Sequence, residues 1–276
     1  MARAIIQSPA EIKLHRRAGA LAAETLNMVE EHLRPGLTTN DINTLVHEYT
    51  LKHDAVPAPL NYKGFPKSVC TSVNEVVCHG IPNDIALVDG DIINVDVTTI
   101  LPARKGFYGD TSRTFIIGEG SPSAKHIVNV ARNSLEIGLR QVHPGGHVGD
   151  IGAAIADYAH SKGCSVVREY TGHGIGRVFH GPPNVSHVGT RGSGVRFRRG
   201  MTFTIEPMIN LGAAAVEHLA DGWTVLTRDR SLTAQFEHTV VVTKDGLEIL
   251  TLPTNYEGPR RYVYDPNWSL PSPTAR

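Results

Sequence analysis

The sequence predicts an α+β protein: two helix-helix-strand-strand halves of similar plan, packed as one domain with helices on one side of a curved, mostly antiparallel sheet. Three observations carry this. An apolar stretch containing Gly90-Asp-Ile-Ile-Asn-Val-Asp96 is followed by the turn-like Pro102-Ala-Arg-Lys-Gly106 and a second strand from Phe107 to Ile117. Helix-start signals occur both before this hairpin and after it. Short matches also repeat in a common order, which is harder to dismiss than any one of them. Pro35-Gly36, Asp41-Ile42 and Tyr49 return 109 positions later as Pro144-Gly145, Asp150-Ile151 and Tyr158. Gly90 with Val95-Asp96 returns as Gly200 with Ile205-Glu206, at an offset of 110, and His79-Gly-Ile81 returns as His173-Gly-Ile175.

The elements follow in order. Ser8-Pro9-Ala10-Glu11 opens the first helix, with serine as N-cap, proline at the first helical position and glutamate completing a capping box. An apolar stripe runs along it from Ile12 to Val29, and Pro35-Gly36 stops it. A second helix is predicted from about Asn40 to His53. The Pro-rich, aromatic loop from Pro57 to Pro66 leads into Val69 to Val77, which alternates like a strand. Ser121-Pro122 opens the second half, Pro144-Gly145 ends its first helix, and Asp150-Ile151 starts the next. A strand-like run spans Thr233 to Thr243. The predicted organisation is one domain over 1–254, with related halves at about 8–120 and 121–250. A proline-spaced tail over 255–276 reads as an extended or disordered strap.

Composition sets bounds on function. With 41% hydrophobic and 20% charged residues over 276 positions, the chain is an ordinary globular protein with enough length for a large core. Its 27 basic and 27 acidic residues cancel, so no global field argues for DNA or a membrane surface. Cys70, Cys78 and Cys164 form no CxxC pair, which fits a reducing cytoplasm. The N-terminus lacks the apolar run of a secretion signal, and no stretch is long and apolar enough to span a membrane.

Chemistry enters through the acids. Asp96 lies inside a strand of buried type, where an unpaired carboxylate costs several kcal/mol or gives up its charge. A hairpin centred near Ala103 would set Asp96 opposite Asp110, with Cβ atoms roughly 5 Å apart. A hairpin with both aspartates facing solvent is the simpler alternative. The internal repeat argues against it, because Glu206 and Glu237 occupy the matching places in the second half. Four carboxylates and His173 then meet at one seam. Oxygen-rich sites with one imidazole suit Mn, Fe, Co or Zn, and five such groups are enough for two ions bridged by carboxylates.

Five segments carry a family resemblance: Val77-Cys-His79-Gly-Ile-Pro82, the Asp96 and Asp110 pair, Gly172-His173-Gly174-Ile175-Gly176, Phe203-Thr-Ile-Glu206-Pro207 and Gln235-Phe-Glu237-His-Thr239. Together they closely resemble the type I methionine aminopeptidases of bacteria, within the M24 peptidases, over about residues 5–252. The resemblance implies the pita-bread fold and removal of N-terminal methionine, before a small second residue, by water activated between two divalent metal ions. It further implies that Asp96 is the bidentate ligand of one metal, that Asp110 and Glu237 bridge, and that His173 and Glu206 hold the other. His79 and His180 match the family's non-ligand active-site histidines, expected to hydrogen-bond the scissile nitrogen and the carbonyl oxygen respectively. Glu206 is the expected proton shuttle.

Tyr62, Phe65, Cys70, Phe179 and Trp223 match positions of the family's methionine pocket, and Asn74, Val76 and Thr233 those of an additional monovalent-cation site. Pro59, Lys63 and Phe65 depart from common family residues, and the hairpin is about three residues longer at Leu101 to Lys105. The expected partners are nascent chains presented to a cytoplasmic monomer. A ribosome contact near the exit tunnel is placed on Arg191, Arg196, Arg198 and Arg199, which otherwise read as a solvated loop face. Two rivals are a Xaa-Pro dipeptidase of the same fold, expected to carry an added N-terminal domain, and a non-catalytic binding module, expected to have lost ligands.

Overall fold

The computed structural model describes residues 4–270. The first half contains α1 (Pro9–Glu30), α2 (Thr39–Lys52), β1 (Val56–Pro57), β2 (Cys70–Val73), β3 (Val76–Cys78), β4 (Ile92–Leu101) and β5 (Phe107–Ile116). The second continues with α3 (Pro122–Arg140), α4 (Val148–Ser161), β6 (Ser165–Val166), β7 (Gly172–Gly174), β8 (Gly181–Val185), β9 (Thr202–Ile205) and β10 (Met208–Asn210). It then adds β11 (Val216–His218), β12 (Val225–Thr227), β13 (Thr233–Gln235), β14 (His238–Val242), β15 (Gly246–Ile249) and β16 (Arg261–Val263). These pair antiparallel into four sheets, the largest ordered β16-β15-β14-β9-β7-β8.

The helices begin where their capping chemistry directs. Ser8 accepts the Glu11 N–H while Glu11 accepts the Ser8 N–H, closing the predicted box. Ser121 caps α3 by accepting the Ala124 N–H at 3.1 Å, without a reciprocal box. Asp41 and Asp150, the repeated residues, accept the backbone N–H of Thr38 at 2.9 Å and of His147 at 2.7 Å. The first helix ends at Glu30, short of Pro35-Gly36, and a turn bridges the interval.

Each half builds its own core. α1 and α2 bury Ala22, Leu26, Val29, Ile42 and Val46 against Ile93, Val95 and Val97 of β4. α3 and α4 bury Ile127, Val130, Ile151 and Ile155 against Phe203, Ile205 and Val240. Burying a large aliphatic side chain contributes about 1.5–3 kcal/mol, so these stripes hold the helices to the sheet more firmly than propensity does.

The halves meet along β5 and the β13–β14 run. There Thr111 and Thr114 donate their hydroxyls to the carbonyls of Glu237 and Gln235, both at 2.7 Å, and Thr239 donates to the Asp110 carbonyl at 2.8 Å. The Glu237 N–H donates to the Ser112 carbonyl at 3.0 Å. This seam positions the acids.

Three expectations need correction. The hairpin turns over Pro102–Gly106 with Leu101 paired to Phe107, so Asp96 faces Ser112 and Asp110 faces Thr98. A two-residue shift keeps both aspartates on one face, as diagonal neighbours instead of opposite ones. The tip is solvent-exposed, as expected for an added segment. Val69 to Val77 and Thr233 to Thr243 are each broken. Asn74, in left-handed backbone at φ 54°, turns the first, its side chain fastened to Asp91 and to the Ile92 N–H. Phe236-Glu237 interrupts the second, where Glu237 bonds across the seam to β5 instead of continuing the ladder.

The tail beyond Asn255 is an extended strap in part: Arg261–Val263 adds an edge strand to β15. Pro271 and Pro273 lie outside the described residues.

Candidate metal centre

Asp96 and Asp110 come from the β4–β5 hairpin, His173 from β7, Glu206 from the end of β9, and Glu237 from the break between β13 and β14. All five line one cavity of about 320 Å³, together with His79 and His180 and the predicted pocket residues Tyr62, Phe65, Cys70, Phe179 and Trp223. Asp110, His173 and Glu237 each bring one ligand atom within 4.8 Å of the others. His173 Nε2 lies 3.5 Å from Asp110 Oδ2 and 3.5 Å from Glu206 Oε1.

Hydrogen bonds fix the acids' orientation. Thr98 donates to Asp110 Oδ1 at 2.7 Å, and Thr204 donates to Glu206 Oε1 at 2.7 Å. Gln235 Nε2 donates to Glu206 Oε2 at 3.3 Å. The Glu206 N–H donates to His187 Nε2 at 3.1 Å. Burial lowers the His187 pKa to about 3, which leaves the ring neutral at neutral pH, and accepting the Glu206 N–H at Nε2 places its hydrogen on Nδ1.

The electrostatics are those of a site short of positive charge. Burial first, and then the neighbouring carboxylates, push Asp96 and Glu237 well above the usual range. Glu206 is raised to about 7 by burial and by Asp110, partly relieved by His173, Thr204 and Gln235. Burial alone would lower His173, but Asp110 and Glu206 outweigh it and its pKa is raised. Among the described residues the only basic side chain paired with these acids is His173. A divalent cation fits this donor set: hard oxygens with one imidazole, and negative charge that protons alone would otherwise have to offset.

Around the acids the walls are aromatic. Phe65 meets Trp223 edge-on at 5.2 Å, and His79 meets Tyr170 and Trp223 edge-on at 5.4 and 6.0 Å. His79 holds a left-handed backbone at φ 56°, a costly conformation for a non-glycine residue and one that concentrates at working sites. Burial lowers its pKa to about 4. His180 sits 4.2 Å from His173, ring to ring. The cavity also takes in Tyr170 and Met208, which sequence reasoning missed. Both stand close in sequence to a candidate ligand, Met208 two residues after Glu206 and Tyr170 three residues before His173, so nearness to those motifs offered a signal for each. Of the residues that support the candidate ligands, Thr204 and Gln235 lie inside the Glu206 and Glu237 motifs, whereas Thr98 and His187 carried no mark in the sequence.

The model of metallopeptidase family M24 matches residues 13–244. Over 252 residues the chain is 53% identical to a methionine aminopeptidase of Rickettsia prowazekii, spanning 91% of this chain and 94% of that one. It is 50% identical to the methionine aminopeptidase of Escherichia coli K12 over 249 residues, 90% and 93% of the two chains. A crystal structure of the Rickettsia prowazekii methionine aminopeptidase superposes with a TM-score of 0.88, covering 91% of this chain and all of that one at 52% identity. With that breadth of likeness, and acids of both halves gathered on one histidine, the chain belongs to metallopeptidase family M24, among its methionine aminopeptidases.

Proposed function

We propose that the protein removes the N-terminal methionine from peptides and nascent proteins with a small second residue, using two divalent ions held by Asp96, Asp110, His173, Glu206 and Glu237. One observation carries this: a single cavity collects five ligand-type side chains, two further histidines and a wall of aromatic and sulfur groups. Asp96, Asp110, His173, Glu206 and Glu237 would together hold the ions. Such a pair, drawn from Mn, Fe, Co or Zn, supplies charge that acidifies water and polarises a carbonyl.

The chain's own residues do the rest. Tyr62, Phe65, Cys70, Phe179 and Trp223 enclose the methionine side chain, whose polarizable sulfur suits aromatic contact. His180 hydrogen-bonds the carbonyl oxygen as negative charge develops there, and His79 the scissile nitrogen. Glu206, held at both carboxylate oxygens by Thr204 and Gln235, takes a proton from water and returns it to the leaving amine.

The same reading makes residues 1–254 one catalytic domain and 255–276 an appended strap, and makes the protein a cytoplasmic monomer. A monovalent cation sits near Asn74, Val76 and Thr233, where the Thr233 N–H donates to the Asn74 carbonyl at 3.0 Å. Ribosome contact falls to the exposed Arg191, Arg196, Arg198 and Arg199. A ribosome pull-down unchanged by replacing these arginines removes that part.

The test is turnover by metal-depleted protein reloaded anaerobically with each ion. Met-Ala-Ser should be cleaved, while Ala-Pro and Met-Pro should not. Cleavage of Ala-Pro instead, or metal binding with no hydrolysis, overturns the proposal. Replacing His79 or His180 by alanine should lower kcat about 100-fold while the metal content stays unchanged. Loss of metal in either variant would place that histidine among the ligands.

A further inference from the structure

We propose that Tyr62 sets the tautomer of His180, fixing the imidazole so that it presents an Nε2–H donor to the substrate carbonyl. This rests on the role given to His180 above. The two residues lie 118 positions apart, and the Tyr62 hydroxyl sits 2.9 Å from His180 Nδ1.

The phenol is held in place by its surroundings. Tyr62 starts the short 3₁₀ turn Tyr62–Gly64, entered through Asn61 in left-handed backbone at φ 65°. The Asn61 N–H donates to the Phe65 carbonyl and the Phe65 N–H to the Tyr62 carbonyl, at 2.8 and 2.9 Å, closing the turn from both ends. The Tyr62 ring packs 4.9 Å from Phe179 and 5.3 Å from His180, with Lys63 Nζ 5.4 Å from its centroid.

Proton counting then selects the tautomer. A phenol carries one hydrogen, and among the described residues the Tyr62 hydroxyl has no acceptor other than Nδ1. If that hydrogen lies in the bond, Nδ1 is the acceptor and the ring hydrogen of a neutral imidazole must be on Nε2. In the reverse arrangement Nδ1–H donates to the phenol oxygen. That leaves the phenol hydrogen of half-buried Tyr62 only water to bond, in place of the imidazole nitrogen, and leaves a lone pair at Nε2, where a developing oxyanion would be repelled. Among the described residues Nε2 has no partner of its own, so the nitrogen left free is the one the reaction requires. Tyr62 thus stands to His180 as an orienting group stands to a catalytic histidine: it acts through the ring, beyond its share of the methionine pocket.

The test combines magnetic resonance with kinetics. Protein labelled with ¹⁵N in histidine, assigned with His180→Asn, should show His180 protonated at Nε2 and bare at Nδ1 at pH 7. In Tyr62→Phe the two tautomers should mix. That variant should lose about 10-fold or more in kcat on Met-Ala-Ser, with KM changed by less than about 2-fold. In a His180→Ala background the same substitution should cost nothing further in kcat. Observation of Nδ1–H or of an imidazolium in the parent protein overturns the proposal. So does an equal kcat loss in both backgrounds, or a change confined to KM, the mark of a pocket-lining role alone. If the parent protein does not cleave Met-Ala-Ser, the proposed function fails by itself, and the tautomer measurement still decides the role of Tyr62. A circular-dichroism melt of Tyr62→Phe matching the parent separates these outcomes from misfolding.

Discussion

Glu237 shows how much one side chain does at this site. Its backbone is fastened to Ser112 and Thr111 across the seam, and its carboxylate is buried among Asp110, Glu206 and Asp96. Burial, and then those charges, raise its folded pKa above that of an unfolded glutamate. Between the two values the native state binds more protons, so in metal-free protein stability falls as pH rises through that interval. Glu237→Gln should therefore raise the melting midpoint of EDTA-treated protein, and by more at pH 8 than at pH 5. The buried His15 and His187 and the half-buried His238, lowered to about 4, 3 and 4, pull the other way in acid, but they are common to both proteins and cancel in the comparison. With metal restored the sign should invert, because the variant lacks one of the proposed ligands. An equal gain at both pH values would show that Glu237 is not the strained carboxylate.

At the scale of elements, the approach of α1 to the hairpin decides where the aspartates sit. A Cβ added at Gly109 would lie 2.3 Å from the backbone of Ala18, and one at Gly19 would lie 2.5 Å from the Leu250 carbonyl oxygen. Neither neighbour is a flexible side chain that can swing away. The Thr99 hydroxyl donates to the Ala18 carbonyl at 3.0 Å, which sets the same spacing. Gly109→Ala must push helix from strand next to Asp110, and overpacking of this kind costs about 1–3 kcal/mol. Chemical denaturation should show that loss with the slope m unchanged, alongside weaker metal binding by calorimetry. Stability equal to the parent's would mean that α1 yields without strain.

For the whole molecule, the strap over residues 255–270 ties the end of the chain to the second half. Beyond the β15–β16 pairing, Arg140 of α3 is flanked by the rings of Tyr262 at 3.7 Å and Trp268 at 4.7 Å. Glu136 bonds both Arg140 and the Tyr262 hydroxyl. Partly buried cation–π contacts contribute about 0.5–2 kcal/mol each. Ending the chain after Thr254 should lower the melting midpoint by roughly 2–4 °C per kcal/mol lost, with kcat on Met-Ala-Ser retained, because none of the described residues of the strap lines the metal cavity. An unchanged midpoint would make the strap a passive appendage.

The sequence by itself determined the identity of the acids and the histidine, the doubled plan of the halves and the helix starts. Each is written locally: a serine three residues before its glutamate, a carboxylate inside an apolar strand, a motif repeated at one offset. Only the tertiary structure decided the hairpin register, the breaks at Asn74 and Glu237, and the hydroxyls of Thr98 and Thr204 that aim the carboxylates. It alone set Tyr62 on His180. The physical reason is that strand pairing and side-chain hydrogen bonds join residues distant along the chain. Their partners are chosen by which surfaces close together, and no spacing within either segment records that choice.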